Sequence, residues 1–262
     1  MDSPRFAFGK NWKKYLKKGF NDVSLRKSEE YLKSFLQLDL RDKTFVDIGC
    51  GSGVHSLAAF KLGAQVTSID VDQHSVECCE ELAKKHHSPT WQVKQGSIVD
   101  DTFVSSLGCF DVVYCWGVAH HTGNMFKALA NLANLVTPSG LLYVAIYNEV
   151  PGRRGSKMWQ AIKRRYNFAG PVVKKIMEWI YISLMFLGIV VRLRNPFTEI
   201  NNYYQKRGMH WTTDLIDWLG GYPYEYARAE VIFNFYRDRG FDLVNLKTTN
   251  YIGCNQFVFK KR

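Results

Sequence analysis

Residues 44–53, TFVDIGCGSG, constrain the fold more than any other stretch of the chain. Thr44, Phe45 and Val46 form a β-branched and aromatic run of the kind that fills a buried strand. The chain then turns through Asp47, Gly49, Gly51 and Gly53, and a helical pattern follows at once with Val54, Leu57, Ala58 and Lys61. A strand that ends in a glycine turn and opens a helix brings bare main chain against a ligand, because glycine has no Cβ to hold it off.

The alternation continues beyond the turn. Strand 65–70 leads to a helix near 73–86, strand 91–95 to a short helix near 101–107, and strand 110–115 to a helix near 123–136. Pro138-Ser139-Gly140 then turns into strand 141–147. This pattern predicts a parallel sheet with helices on both faces and ligands at the carboxyl ends of the strands. A helix near 226–239 and strands 241–248 and 255–260, joined around Asn250 and Gly253, predict a closing hairpin with an antiparallel last strand. Before the first strand, a helix is expected near 24–38 with Ser24 as its N-cap. The expected units are an N-terminal helical cap (1–40), a ligand-binding core (41–148), a helical insertion acting as a lid (149–215) and a C-terminal completion of the core (216–262).

Charge is uneven. The chain carries a formal +11, and residues 149–215 hold twelve Lys/Arg against four Asp/Glu. Such a balance invites nucleic acid, an anionic membrane surface or an acidic substrate as partner, or leaves a soluble enzyme with a basic face. Within the insertion, Trp179 to Val191 is an uncharged apolar run. It is shorter than the roughly 20 residues that a spanning helix needs. Its flanks Lys174, Lys175, Arg192 and Arg194 fit an interfacial helix on an anionic membrane, and the run equally fits a buried helix of a substrate lid. The six cysteines form no CxxC pair, and no histidine cluster adds metal-like spacing, so the thiols are expected to be reduced and no metal is expected. The N-terminus carries no apolar signal region, which points to a cytoplasmic protein, with peripheral contact at the inner face of the membrane as the alternative the apolar run allows.

The glycine turn reads GxGxG. A dinucleotide turn wants GxGxxG, and a Walker A loop wants a Lys after its last glycine. Asp47, just before the turn, would repel a pyrophosphate and suits a ligand with a cationic end. Asp70, at the end of the next strand, can accept both hydroxyls of a ribose. The ligand so described is an adenosine with a cationic end and no phosphate, which is S-adenosylmethionine.

The segments FVDIGCGSG, VTSIDVD, QGSIVD, FDVVYCWGVAHHTG and PSGLLYVAIY, in that order, resemble the successive motifs of class I S-adenosylmethionine-dependent methyltransferases. The HH loop and PSG turn resemble the ubiquinone/menaquinone-biosynthesis-like branch. FAFGKNW, RGMHWTTDLIDWLGGYPYE and GCNQFVF look like a bacterial subgroup of it. The resemblance implies a Rossmann-like, seven-stranded, mostly parallel α/β sheet. It implies that Gly49, Cys50 and Gly51 line the methionine moiety with their backbone, and that Asp47 organises the loop and helps hold the amino end. Asp70 would grip the ribose, Val71 pack the adenine, and Ser97 and Ile98 edge it. Ser97 stands where the family often has an acid. Cys115 and Trp116 would meet the cofactor amino group.

Methyl transfer needs alignment and exclusion of water more than covalent help, and a hydroxyl nucleophile gains from a base. His120 and His121 follow strand 110–115 at the mouth of the cleft, where an imidazole can take a proton near neutrality or can simply shape the loop. Tyr147 and Asn148 are expected either to touch substrate or to cap the strand end. His210, Trp211 and Asp214 either close the lid or pack it. Asn11 and Trp12 are expected over the cleft. The favoured function is O-methylation of a small-molecule or lipid-linked acceptor. The alternative, a nucleic-acid (tRNA) methyltransferase, lacks an (N/D)PP(Y/F) signature, since the chain reads CWGV there, and lacks a separate RNA-binding module. The intact turn argues against a mere binding protein. Acceptor identity and oligomeric state are not encoded in these motifs.

Overall fold

The computed structural model describes residues 8–18, 20–201, 203 and 211–262. Seven strands form one sheet in the order β3-β2-β1-β4-β5-β7-β6. They are β1 (Thr44–Ile48), β2 (Gln65–Asp70), β3 (Trp91–Gln95), β4 (Phe110–Trp116), β5 (Val136–Tyr147), β6 (Phe241–Lys247) and β7 (Cys254–Lys261). The first five are parallel, and β7 pairs antiparallel with both β5 and β6. The expected α/β architecture with an antiparallel last strand is what the chain forms.

Alternation along the central strands divides the core in two. Val46, Val113, Cys115, Leu142, Val144 and Ile146 face one helical layer, where α5 (Asp101–Ser105), α6 (Met125–Asn134) and α11 (Ala229–Arg237) contribute Val104, Leu129, Leu132, Ile232 and Tyr236. Phe45, Val112, Tyr114, Leu141 and Tyr143 face the other, built from α2 (Asp22–Leu36), α3 (Val54–Lys61) and α4 (Gln73–Lys85). Period-two burial on both faces is the mark of a sheet covered on both sides. The N-terminal α1 (Gly9–Lys18) rests against α4, where Lys13 pairs with Glu77 at 2.6 Å.

Several boundaries differ from expectation. The N-cap of α2 is Asn21, whose side chain accepts from Ser24 N, while Ser24 returns a bond to the Asn21 amide. Ser24 therefore completes a capping box rather than starting it. Strand β5 begins at Val136, ahead of the Pro138-Ser139-Gly140 turn. Val136 pairs with Phe110, the register shifts, and pairing resumes at Leu141 with Val112. Ser139 takes a positive φ of 61° inside this irregularity. The helices at 125–134 and 229–237 are shorter than the patterns 123–136 and 226–239 suggest.

The insertion comprises α7 (Ser156–Phe168), α8 (Pro171–Val191), α9 (Pro196–Asn201) and α10 (Trp211–Gly220). The expected boundary at 215 falls inside α10. Helix α8 overturns the expectation of a buried helix, because none of its residues is buried. Met177, Tyr181 and Ile182 pack partly against Tyr166, Leu215 and Leu219. Val172, Ile176, Trp179, Ile180, Leu184, Leu187, Val190 and Val191 stay exposed along the helix. No helix among the described residues is long and apolar enough to cross a membrane.

Candidate active site

The carboxyl ends of β1, β2, β4 and β5 meet at the point where strand order reverses, between β1 and β4. Gly49, Gly51 and Gly53 all adopt positive φ, at 76°, 54° and 76°. A Cβ on Gly49 would lie 2.2 Å from Val118, and one on Gly51 would lie 3.0 Å from the Trp12 indole nitrogen. The turn is thus bare backbone under two covering side chains.

The amides of the turn are already engaged. Gly49 N and Cys50 N donate to the Ile69 carbonyl at 2.7 and 3.0 Å, and Gly51 N donates to Asp70 Oδ2 at 3.0 Å. A phosphate nest needs free N–H groups, and these three are already taken. Asp70 accepts from Gly51 N with one oxygen and from Asp72 N with the other. The Val71 amide also acts on the carboxylate, and of its roughly four lone-pair sites at least one remains for a ribose hydroxyl. Burial raises the Asp70 pKa, and the backbone donors act against that rise.

Asp47 is held by a chain of side chains that starts two strands away. Trp91 Nε1 donates to Ser68 Oγ at 2.8 Å, Ser68 Oγ to Ser56 Oγ at 2.7 Å, and Ser56 Oγ to Asp47 Oδ2 at 2.6 Å. This relay fixes the carboxyl but does not neutralise it. Burial pushes Asp47 up to about 7, with the nearby Asp70 carboxylate adding to the rise. Two neighbouring acids, Asp47 buried and Asp70 half-buried, with no ion pair among the described residues fit a cationic ligand, so the residues present fit an adenosyl cofactor with a positive end.

Helix α1 covers this site and continues past it. Gly9 N donates to Asp72 Oδ2 at 3.1 Å, Trp12 lies on Gly51, and Asn11 Nδ2 reaches Asp217 of α10 at 2.6 Å. The Phe8 ring lies 5.5 Å from His121.

The two histidines of the 3₁₀ turn Ala119–His121 have opposite tautomers. His120 is buried, and its Nδ1 accepts from the Tyr147 amide at 3.2 Å. Its proton therefore sits on Nε2, which has no hydrogen-bond partner. Burial, with His121 and Lys163 nearby, drives its pKa well below the usual imidazole range. His121 Nδ1 lies 2.6 Å from the Pro223 carbonyl, which can only accept, so this nitrogen carries the proton and Nε2 keeps its lone pair. Burial lowers His121 to about 4, against the pull of that carbonyl.

With this geometry in place, the comparisons with known proteins fall into line. A family pattern described as a methyltransferase domain matches residues 39–203. The chain belongs to this methyltransferase family. A ubiquinone biosynthesis O-methyltransferase of Xanthomonas oryzae pv. oryzae is 31% identical over 117 residues, which cover 44% of this chain and 47% of that protein. The chain thus spans about half the length of the curated relatives it matches. A magnesium protoporphyrin IX methyltransferase from Synechocystis with bound SAH has a TM-score of 0.52 at 15% identity, covering 92% of this chain and 83% of the other. PKMT2 from Rickettsia typhi in complex with AdoHcy has a TM-score of 0.60 at 15% identity, covering 91% and 52%. At these identities the structural likeness concerns the fold.

In this methyltransferase-family chain, Asp47, Gly49, Gly51, Asp70 and Trp12 come together, and His121 and Tyr147 sit at the adjoining strand ends. Val71 and Trp116 stay exposed at the ends of β2 and β4. Ile98 is buried in the core and Ser97 precedes it at the end of β3. The Cys50 thiol lies in the core, accepting from Cys79 at 3.2 Å, and Cys115 is fully buried, so both offer backbone only. The Asn148 side chain is engaged within the protein. Its Nδ2 donates to the Thr249 carbonyl and its Oδ1 accepts from Asn255, which makes it a strand-end tie. Trp211 packs with the insertion cluster, and His210 lies outside the described residues. Residue-by-residue reading missed Ser56, Ser68 and Trp91, and also Lys163, Asp217, Trp218 and Tyr224 beside the histidines. Nothing local marks these residues.

Proposed function

We propose that the chain is an S-adenosylmethionine-dependent methyltransferase acting on oxygen of a small or lipid-linked acceptor. The observation that carries this reading is the Asp70 carboxylate, which keeps acceptor capacity at the end of β2 beside a glycine turn whose Gly49, Cys50 and Gly51 amides are already taken. That pairing suits a ribose with no phosphate. S-adenosylmethionine supplies a methyl group already activated on a sulfonium sulfur. Asp70 holds the ribose, the Asp47 carboxylate favours the cationic end, and Trp12 and Val118 close the turn against water. His121 Nε2, unprotonated through the neutral range, accepts the proton of the acceptor hydroxyl while the Pro223 carbonyl holds Nδ1–H in place. His120 acts as a donor, because its basic nitrogen is used by Tyr147 N.

A cationic ligand favours ionised Asp47. Its pKa in the free chain is raised to about 7, so part of the population is protonated at pH 6.5 and must lose that proton on binding. Calorimetry at pH 6.5 in buffers of different ionisation enthalpy should show proton release of up to about one per site with S-adenosylmethionine. Absence of binding heat would end the reading; binding without proton release would remove Asp47 from it.

The lipid-linked form of the acceptor draws support from α8. Its apolar residues are exposed along six turns, with Lys174 and Lys175 at one end and Arg192 and Arg194 at the other. An exposed apolar helix face with basic flanks suits an anionic bilayer surface. Trp179, 66% exposed, is the test. Vesicles containing anionic lipid should carry the wild-type chain upward in a flotation gradient and leave Trp179→Glu largely at the bottom. Equal flotation of both would exclude α8 as the anchor.

A further inference from the structure

The acceptor side of the site holds an excess of hydrogen-bond donors. Lys163, on α7, is fully buried. Its ammonium donates to the Trp218 carbonyl and lies 3.9 Å from the centre of the Trp218 ring and 5.0 Å from that of Tyr224. Asp217 acts on it only at longer range, and the Asp217 carboxylate takes its hydrogen bond from Asn11. Burial pushes Lys163 down to about 7, against the pull of Asp217. A buried ammonium without a directly paired anion is costly and is seldom kept for packing alone.

Two more buried donors are idle in the same place. Among the described residues, Trp218 Nε1 and His120 Nε2 have no hydrogen-bond partner. Tyr147 links them, with its ring centre 3.9 Å from that of His120, 4.9 Å from Tyr224 and 6.0 Å from Trp218. A Cβ placed on Gly221 would lie 3.1 Å from His121 Cε1 and 3.5 Å from Lys163 Nζ, so the lysine and the free histidine border the same spot. Buried polar groups in folded proteins are nearly always satisfied. The Trp218 indole and His120 Nε2–H can only donate, and so does Lys163 in its ammonium form. What completes them must therefore bring oxygen acceptors, and the ammonium favours negative charge.

We propose that the acceptor is recognised through an anionic oxygen group, a carboxylate or ionised phenol, bound by Lys163 with Trp218 Nε1 and His120 Nε2 as neutral donors. The rings of Tyr147, Trp218 and Tyr224 wall this position, so an aromatic or otherwise flat acceptor suits it. The inference rests on the methyltransferase reading only in taking this cluster as the acceptor side, and it can fail separately.

Tryptophan fluorescence of the full chain, saturated with S-adenosylhomocysteine, can be titrated with 4-hydroxybenzoate and with its neutral analogue 4-hydroxybenzamide. The wild type is expected to bind the carboxylate at least tenfold more tightly. Lys163→Met should reduce that preference to less than threefold. Trp218→Phe, which keeps a ring and deletes the donor, should reduce it at least threefold. Lys163→Met should also melt higher than wild type at pH 7. Its lysine pKa is lowered on folding, so the cost of the buried charge is full below about 7 and fades as pH rises toward the unfolded value, and the advantage should shrink by pH 10. Equal affinities in the wild type, no carboxylate binding, or a preference that survives in both variants would overturn the proposal. A lower melting temperature for Lys163→Met at pH 7 would mark a structural latch and would also overturn it. Failure of S-adenosylhomocysteine to bind would count against the methyltransferase reading instead, and the same titration without it would still decide the anion site.

Discussion

Asp70→Ala should weaken S-adenosylmethionine binding by about 10²- to 10⁴-fold. Hydrogen bonds to a charged group are worth about 1.5–3 kcal/mol each, and the ribose is expected to make two. The loss has a second source in the protein itself. Asp70 accepts from Gly51 N and Asp72 N, so its removal leaves the glycine turn without one of its ties. Asp70→Asn separates the two effects. It keeps the size and one acceptor oxygen, and its affinity should fall between wild type and alanine. Calorimetry with S-adenosylmethionine measures all three chains. Affinity within threefold of wild type in Asp70→Ala would remove the ribose contact.

His121→Gln should reduce kcat by about 10²- to 10⁴-fold, the usual range for loss of a positioned general base. The variant retains a side-chain donor for the Pro223 carbonyl, so the loop should keep its shape. Cofactor affinity should stay within threefold of wild type, since His121 lies on the acceptor side. The readout is S-adenosylhomocysteine release with a panel of phenols and aromatic carboxylic acids. A kcat equal to wild type would show that alignment alone carries the transfer and that His121 only shapes the loop. Its partner offers no such role in this state. The His120 lone pair is spent on Tyr147 N, a distinction that two adjacent histidines in a sequence cannot show.

The cofactor side was legible because it is local. Asp47, the three glycines and Asp70 lie within one strand-turn-helix-strand unit, and the chemistry follows from spacing along a chain that has few ways to fold. The relay behind Asp47 was not legible, since Ser56, Ser68 and Trp91 are ordinary residues on separate elements that only the sheet brings into line. The acceptor side was hidden for a different reason. Lys163 is one of twelve basic residues in its region and differs from the rest only by burial. Its neighbours Trp218 and Tyr224 come from sequence more than 50 positions away. The start of β5 was masked by Pro138-Ser139-Gly140, which reads as a turn between elements and is instead an interruption within one strand pair. For α8, the apolar run fitted either an interfacial or a buried helix, and the packing of the insertion left that run on the outside.

Helix α1 has a kinetic consequence. It is fastened at both ends of the cleft, through Gly9 to Asp72 beside the ribose position and through Asn11 to Asp217 beside the histidines. One short segment thus serves as a common door for two guests. Movement of α1 that uncovers the glycine turn would also break its hold on α10, so cofactor and acceptor bound as proposed would exchange together. On the proposed function, the order of entry and the rate of product release would then depend on this one ten-residue helix.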